Sequence, residues 1–355
     1  MRLILPVAGQ SSRFPGLRPK WLLTHPGGDL MIAASIRGLN LQHVDEIIVI
    51  CLKAHYNEYD LDRVLKRQFD KLNLIDKLRI VQIDDSESQP HTVYQGLRKA
   101  KVDGPVLIKD ADNHFEFTPV GGNVTCYVAM DDIKWVDPIN KSYVVLDEQN
   151  AVVNIVEKQV ISDTFCVGGY GFDEATDFAR AFEKVHEFSN LYISHVIYQM
   201  ILAGCPFVGE RVRGYLDWGT LRQWNAYRSR FCTLFIDLDG TLVESSGEFF
   251  SPAWGESPAI EENVRIVNKL HDSGYAKIII FTSRDPAYEE VTRLQLERIG
   301  LKHDQVIFGL FHSKRIIVND YSKSNPYKSC EAINLRRDSS ELVEMLEDAL
   351  NIDDF

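Results

Sequence analysis

The chain has 355 residues, 45% of them hydrophobic, and its 39 basic and 51 acidic side chains leave a formal charge of −12. Domains usually hold about 100–200 residues, so two hydrophobic cores are expected. The acidic balance speaks against nucleic acid or an anionic membrane as partner, because both call for a basic surface. A phosphorylated small molecule needs only a metal and a few local cations.

The opening MRLILPVAG is a short apolar run with one basic residue, followed by a polar stretch, Gly9 to Arg13, rather than a cleavage site. No later stretch approaches the ~20 apolar residues of a membrane span. A soluble, cytoplasmic protein is expected. The six cysteines, Cys51, Cys126, Cys166, Cys205, Cys232 and Cys330, are scattered without a CxxC pair or metal-ligand spacing. That usage reads as reduced, buried thiols.

Along the first half, LILPVA, DEIIVICL, LRIVQI and PVLIKDAD predict strands, separated by the helical stretches MIAASIRGLNLQ, YDLDRVLKRQFDKL and HTVYQGLRKAK. This alternation signals a parallel α/β sheet covered on both faces. From about residue 120 the strand-like runs NVTCYVAM, KSYVVLD, AVVNIVEK and FCVGGYGF predict a mixed sheet appended to the first, followed by helices in ATDFARAFEKVHEF and NLYISHVIYQMILAG. Gly204 and Pro206 stop the second of these. Near residue 231 the α/β rhythm restarts. The strands RFCTLFIDLDGTL, AKIIIFTSRD, DQVIFGL and RIIVND alternate with the helices EENVRIVNKLHDSG and YEEVTRLQLERIG. SSELVEMLEDAL reads as an amphipathic closing helix. No Gly/Ser- or Pro-rich linker marks the junction, where the helical LRQWNAYRSR runs almost directly into a strand.

The loop after the first strand, Leu5-Pro6-Val7-Ala8-Gly9-Gln10-Ser11-Ser12-Arg13 with Pro19-Lys20 beyond it, stands where ligands bind in parallel sheets. Glycine and serine let backbone N–H groups approach a phosphate, and Arg13 and Lys20 can neutralise a triphosphate. It is neither a dinucleotide fingerprint nor a Walker A loop, and a surface turn with two solvated cations is the alternative. Lys109-Asp110-Ala111-Asp112-Asn113 ends the fourth strand, where neighbouring carboxylates call for a cation. Asp217, in Tyr215-Leu216-Asp217-Trp218-Gly219-Thr220, offers a third acid, and Glu157-Lys158 with Gly168-Gly169 offers groups for a sugar and its phosphate.

Taken in order, these motifs resemble the sugar-phosphate nucleotidyltransferases and their cytidylyltransferase relatives over roughly residues 1–230. The resemblance implies a GT-A-like mixed sheet and an Mg²⁺ held by Asp112 and Asp217, with Asp110 as the rival first ligand. It implies nucleotide contacts from Ala8, Gly9, Ser11 and Ser12, and binding of the triphosphate and acceptor phosphate by Arg13 and Lys20. Glu157, Lys158 and Gly169 would meet the substrate. Gln89-Pro90-His91-Thr92-Val93-Tyr94-Gln95-Gly96-Leu97 is similar to the base-recognition helix start of the cytidylyltransferases, with Thr92 at the base. CTP is favoured, with UTP or dTTP as alternatives. The family's second loop glycine is Ser11 here, and its E-K-P reads Glu157-Lys158-Gln159.

In the second half, Phe235-Ile236-Asp237-Leu238-Asp239-Gly240-Thr241-Leu242 delivers two carboxylates, a turn glycine and a hydroxyl at the end of an apolar strand. It resembles motif one of the haloacid-dehalogenase-type phosphatases, and residues 231–330 resemble their small capsule-biosynthesis branch. The resemblance implies Asp237 as nucleophile and Asp239 as general acid and base. Thr282 or Ser283 would supply the phosphate-binding hydroxyl, Lys314 the lysine of motif three, and Asp320 a metal ligand beside Asp237 and Asp239. Too few residues separate the first two motifs for a large cap domain. The site is expected to be either open or lidded by the 244–258 loop, with Trp254, or by the other domain, and Trp254 itself reads as a packing residue.

Two Rossmann-like α/β domains are therefore expected, a nucleotidyltransferase over 1–230 and a haloacid-dehalogenase-like phosphatase over 231–355, each with one Mg²⁺. The pair would act on a nucleoside triphosphate and a phosphorylated sugar or polyol in cell-surface polysaccharide precursor synthesis. Oligomeric state is left open, a homo-oligomer being allowed.

Overall fold

Leu, Ile and Val alternate between two packing faces along the first strands, and this alternation fixes the layers. In the computed structural model, which describes residues 1–9, 11, 13–133, 138–246, 254–320 and 329–350, the chain divides into two compact units, Met1–Trp224 and Asn225–Phe355.

The first unit runs β1 (Arg2–Pro6), α1 (Met31–Ser35), β2 (Glu46–Leu52), α2 (Lys53–Glu58), α3 (Leu61–Lys71), β3 (Leu78–Ile83), α4 (Gln89–Ala100), β4 (Val106–Lys109) and β5 (Asn113–Glu116). It continues with β6 (Val124–Ala129), β7 (Ser142–Leu146), β8 (Val152–Glu157), β9 (Thr164–Phe172), α5 (Ala175–Val185), α6 (Ile193–Leu202), β10 (Val208–Arg211), β11 (Arg213–Asp217) and the start of α7 (Leu221–Arg228). One nine-stranded sheet holds most of the strands, in the order β10-β6-β9-β4-β1-β2-β3, with β7 and β8 joined through β9. The expected appended sheet is thus continuous with the first, because β9 pairs antiparallel with β4 from Val106↔Phe172 to Lys109↔Gly169.

Side chains on opposite faces enter different cores. Ile4, Ile48 and Ile50 pack with Val93 and Leu97 of α4, Phe178 of α5 and Val196 of α6. Leu3, Leu5, Ile47 and Val49 pack with Ile32 of α1 and Leu61, Leu65 and Phe69 of α3. Covering both faces explains why these strands read as continuous apolar runs.

Two features depart from the sequence expectation. The helix expected over 31–42 stops at Ser35, because the following residues pair with another segment: Asn40 N–H bonds to the Phe117 carbonyl at 2.9 Å. A Cβ at Gly38 would run into the Phe115 carbonyl, so only glycine permits that approach. The second feature is a separate antiparallel pair, β11 with β5, which carried no strand signal in the sequence.

The second unit contains β12 (Cys232–Asp237), α8 (Glu261–Asp272), β13 (Ala276–Phe281), α9 (Glu289–Arg298), β14 (Gln305–Ile307) and α10 (Leu342–Leu350). The three strands form a parallel sheet in the order β12-β13-β14. Ile236, Ile278 and Ile280 pack with Val264, Val267 and Leu270 of α8 and with Leu342 and Leu346 of the closing helix. The strand expected over RIIVND does not form. Residues 315–320 join none of the three strands, and Ile316, Ile317 and Val318 stay 73%, 54% and 91% exposed. Arg315 ties the start of this segment to the Phe311 and Ser313 carbonyls at 2.7 and 2.5 Å instead.

All six cysteines are free, but only Cys51, Cys126 and Cys166 are buried, and Cys330 is exposed. Among the described residues no helix is long and apolar enough to cross a membrane.

Candidate active site

The β5–β11 pair decides the geometry of the first unit. Its register sets Asp217 opposite Asn113, and the Trp218 N–H bonds to the Asp112 carbonyl at 2.9 Å. Asp112 and Asp217, distant in sequence, thereby become neighbours. A Cβ built on Gly219 would lie 3.1 Å from Asp217 Oδ1 and 3.4 Å from Asp112 Oδ2, so the two carboxylates converge on one small volume.

Two lysines answer this negative charge. Lys20 forms an ion pair with Asp112, and Lys141 forms one with Asp217. Burial raises the Asp112 pKa, but the charge and hydrogen bond of Lys20, together with the charges of Lys109 and Lys141, make the net shift downward. Asp217 also accepts from Gln223 Nε2 at 2.8 Å and from the Gly219 N–H at 2.9 Å. Lys20 was expected here from its Pro-Lys motif. Lys141 was not, because nothing local to Asn140-Lys141-Ser142 distinguishes it from a surface cation.

Asp110 points elsewhere. Its carboxylate accepts from Gln89 at the start of α4, and a Cβ on Gly168 (φ +77°) would overlap it. Burial, and then the Asp112 charge, push its pKa up to about 6. Beneath it Lys109 is fully buried, donates to the Asp110 carbonyl at 2.6 Å and the Asn113 carbonyl at 3.0 Å, and lies 4.5 Å from the Phe115 ring centre. Burial lowers its pKa to about 8. Asp112, rather than Asp110, is therefore the partner of Asp217.

The remaining expected residues are distributed as follows. Ala8 is buried and Gly9 exposed. Ser11 takes the left-handed conformation (φ 51°) that glycine favours, and its hydroxyl accepts the Lys20 N–H at 3.0 Å. Ser12 lies outside the described residues. Arg13 is exposed, with no hydrogen bond or ion pair among the described residues. Thr92 is 3% exposed and its hydroxyl meets Ser86 Oγ at 2.6 Å, which leaves Ser86 as the outer hydroxyl at the start of α4. Glu157 accepts from Ser142 and, at 3.0 Å, from Ser194. Lys158 (φ 56°) turns to Tyr192, donating to its hydroxyl with its ammonium 4.4 Å from the ring centre. A Cβ on Gly169 would press on Phe115 and Cys126 at 2.7 and 2.9 Å, so this glycine serves close packing.

In the second unit β12 delivers Asp237, half-buried, and burial raises its pKa. Asp239 is clamped by Arg284, whose Nη2 and Nε reach it at 2.7 and 3.0 Å, and Thr282 Oγ1 lies 3.3 Å from it. Arg284 is itself 1% exposed and is held by Thr292 at 3.0 Å and Gln295 at 2.8 Å. Ser283 accepts from Arg315 Nη2 at 3.0 Å. Lys314 is exposed and makes no hydrogen bond or ion pair among the described residues. Asp320 is exposed, and among the described residues its one hydrogen bond joins its own N–H to Asn319 Oδ1 at 3.0 Å. No contact among the described residues joins it to Asp237. Trp254 packs on Tyr288 at 4.7 Å, and residues 247–253 of the expected lid loop lie outside the described residues.

Among the described residues no cluster of three or more His, Cys, Asp or Glu side chains forms a protein-only cation cage. Mg²⁺ does not require one, since it is commonly held by one or two carboxylates together with substrate phosphates. Asp112 and Asp217 fit that pattern. The second unit fits it less well, with Asp239 engaged by Arg284 and Asp320 apart.

No protein-family model matches the sequence, and no curated protein does. Among solved structures, a nucleoside-diphosphate-sugar pyrophosphorylase from Vibrio cholerae RC9 is similar over 63% of this chain and 98% of its own, with 18% identity and a TM-score of 0.54. An inositol-1-phosphate CTP transferase from T. maritima is similar over 62% and 90%, with 12% identity and a TM-score of 0.50. An apo UDP-glucose pyrophosphorylase is similar over 63% and 94%, with 12% identity and a TM-score of 0.50. At these identities the likeness is one of fold, and it spans a share of the chain equal to the length of the first unit.

Proposed function

We propose that the first unit transfers a nucleotidyl group from a nucleoside triphosphate to a phosphorylated sugar or polyol and releases pyrophosphate. The observation that carries this reading is the convergence of Asp112 and Asp217, each matched by a lysine, at the end of β4 and β11. A phosphate oxygen of the acceptor attacks the α-phosphorus, a new P–O bond forms, and the bond to pyrophosphate breaks with its electron pair leaving on the pyrophosphate oxygen. Asp112 and Asp217 would hold Mg²⁺, which supplies charge neutralisation for the phosphates. Lys20 and Arg13 neutralise the triphosphate, and the loop from Ala8 to Arg13 positions it. Glu157 and Gly169 border the acceptor. Ser86 and Thr92 at the start of α4 sit where the base would be read. The motif around Thr92 supports CTP, with UTP and dTTP as alternatives.

Pyrophosphate release tests the reading, measured with Mg²⁺ across the nucleoside triphosphates and a library of phosphorylated acceptors. At least one pair is expected to turn over. Asp112→Asn and Asp217→Asn should each lower the rate by about a hundredfold or more, the scale of losing one preorganised charge. No release from any pair would refute the reading.

For the second unit we propose hydrolysis of a phosphate monoester, with Asp237 bonding to phosphorus as the ester oxygen leaves and water then cleaving the aspartyl phosphate. Its motif resemblance to the capsule-biosynthesis branch supports a role in surface-polysaccharide precursor synthesis. The Arg284 clamp on Asp239 favours a second reading, in which this unit binds a phosphorylated ligand or serves assembly without turnover. Phosphate release from phosphorylated metabolites that disappears in Asp237→Asn would support hydrolysis, and its absence in the wild type would support the second reading.

A further inference from the structure

We infer that Lys141, rather than Lys158, is the cation that the β7–β8 pair presents to the phosphoryl-transfer site: it holds the Asp217 carboxylate ahead of the divalent cation and, once displaced, binds the acceptor's phosphate. The inference rests on the transferase reading of the first unit and names a residue that neither the sequence motifs nor the fold comparison singled out.

The two lysines are backbone neighbours. The Lys158 N–H bonds to the Lys141 carbonyl at 2.8 Å, one step beyond the Ser142↔Glu157 pair. Their side chains nevertheless have different partners. Lys158 leaves strand geometry at φ 56° and spends its ammonium on the Tyr192 hydroxyl and ring, with no ion pair to a carboxylate among the described residues. The Lys141 side chain is only 11% exposed, and its ammonium lies 5.5 and 5.3 Å from the Phe165 and Tyr215 ring centres. That ammonium donates to the Tyr215 hydroxyl at 2.8 Å and pairs with Asp217.

A cation in such a place needs an anion, because an enclosed ammonium without one is costly. Asp217 accepts from Lys141 and Gln223 through Oδ2 and from Gly219 through Oδ1, so a divalent cation arriving there competes with the Lys141 ammonium for the carboxylate's charge. When the cation takes the carboxylate, Lys141 loses its partner. The anion that arrives at this point in the proposed reaction is the acceptor's phosphate. Cation and phosphate should therefore bind cooperatively, and Lys141 should be the link between them.

The test uses the full chain with Mn²⁺ as the metal probe, followed by its electron-spin resonance signal, and inorganic phosphate as the anion probe. Wild type should bind Mn²⁺ more tightly when phosphate is present. Lys141→Met should bind Mn²⁺ about fivefold tighter or more without phosphate, the lower end of typical site coupling, and should gain nothing further from phosphate. Lys141→Arg should retain the phosphate effect, and Lys158→Met should behave as wild type. The inference is overturned if Lys141→Met binds Mn²⁺ no more tightly than wild type, if it keeps the phosphate effect, if only Lys158→Met loses that effect, or if neither protein binds Mn²⁺. These outcomes are separate from the transferase reading, which fails if wild type releases no pyrophosphate even where the Mn²⁺ pattern holds. An unchanged circular-dichroism melt separates the effect of Lys141→Met from misfolding.

Discussion

His25 shows how a single ring can set acid sensitivity. It lies 5.7 and 6.3 Å from the Trp218 and Trp224 ring centres, and its Nδ1 accepts the Gly27 N–H at 2.9 Å, so the neutral ring is the one the fold uses. Burial lowers its pKa to about 4; Asp29 acts in the opposite direction, while Arg37 and His114 add to the lowering. An unfolded chain takes up this proton near pH 6.5, and the folded chain does so only near pH 4. Stability is therefore intact above pH 6.5 and falls as pH drops through that window, by about 1–3 kcal/mol. His25→Asn keeps an acceptor for Gly27 but cannot take the proton. Its melting temperature should change less between pH 7 and pH 4 than that of wild type, as followed by circular dichroism. Parallel slopes for the two proteins would assign the acid sensitivity elsewhere.

At the level of elements, α4 has to lie close to the sheet for its N-terminus to reach the site, and Gly96 makes this approach possible. A Cβ there would come within 2.6 Å of Ile50 Cγ1 on β2. Gly96→Ala gains about 1 kcal/mol of helix propensity but overpacks the contact at a cost of about 1–3 kcal/mol. The expected net effect is a lower melting temperature. Adding Ile50→Val, which removes the nearest methyl group, should recover part of the loss; a double-mutant cycle reads this coupling. Additive losses would mean that α4 shifts as a body and that Ile50 does not set the distance. The β5–β11 pair works by the same logic with opposite effect: it pulls remote segments together, and Asp112 and Asp217 ride on its ends.

For the whole molecule, each unit has its own core. Among the described residues, the buried members of the first unit's two apolar clusters run up to Val212, and those of the second unit's cluster begin at Ile236. Residues 1–230 alone should therefore fold, with a cooperative thermal transition, and should retain any pyrophosphate release found in the full chain. Asp237→Asn in the full chain should leave that release unchanged. Loss of transfer in either protein would show that the first unit depends on the second; retention would mean that no single unfolding free energy describes the chain.

The sequence by itself determined the parts governed by local chemistry. β3 was legible at Leu78–Ile83 because LRIVQI is a short β-prone run between turn residues, and α5 and α6 because their apolar faces repeat with helical spacing. Ser11, standing where the resembled family has a glycine, was also visible as a departure; its left-handed backbone (φ 51°) came only with the structure. Tertiary structure decided which of these parts meet. β5 and β11 form strands only because each is the other's partner, a pairing that no local window contains. That pairing selected Asp112 over Asp110 for Asp217 and brought in Lys141, whose importance comes from its neighbours rather than from its own segment. RIIVND shows the reverse case: its β-branched residues favour a strand, yet the segment pairs with no strand of the second unit's sheet and they remain exposed. Propensity acts over a few residues, whereas charge pairing and strand pairing act through space, so a site assembled from distant segments is fixed only when the chain has folded.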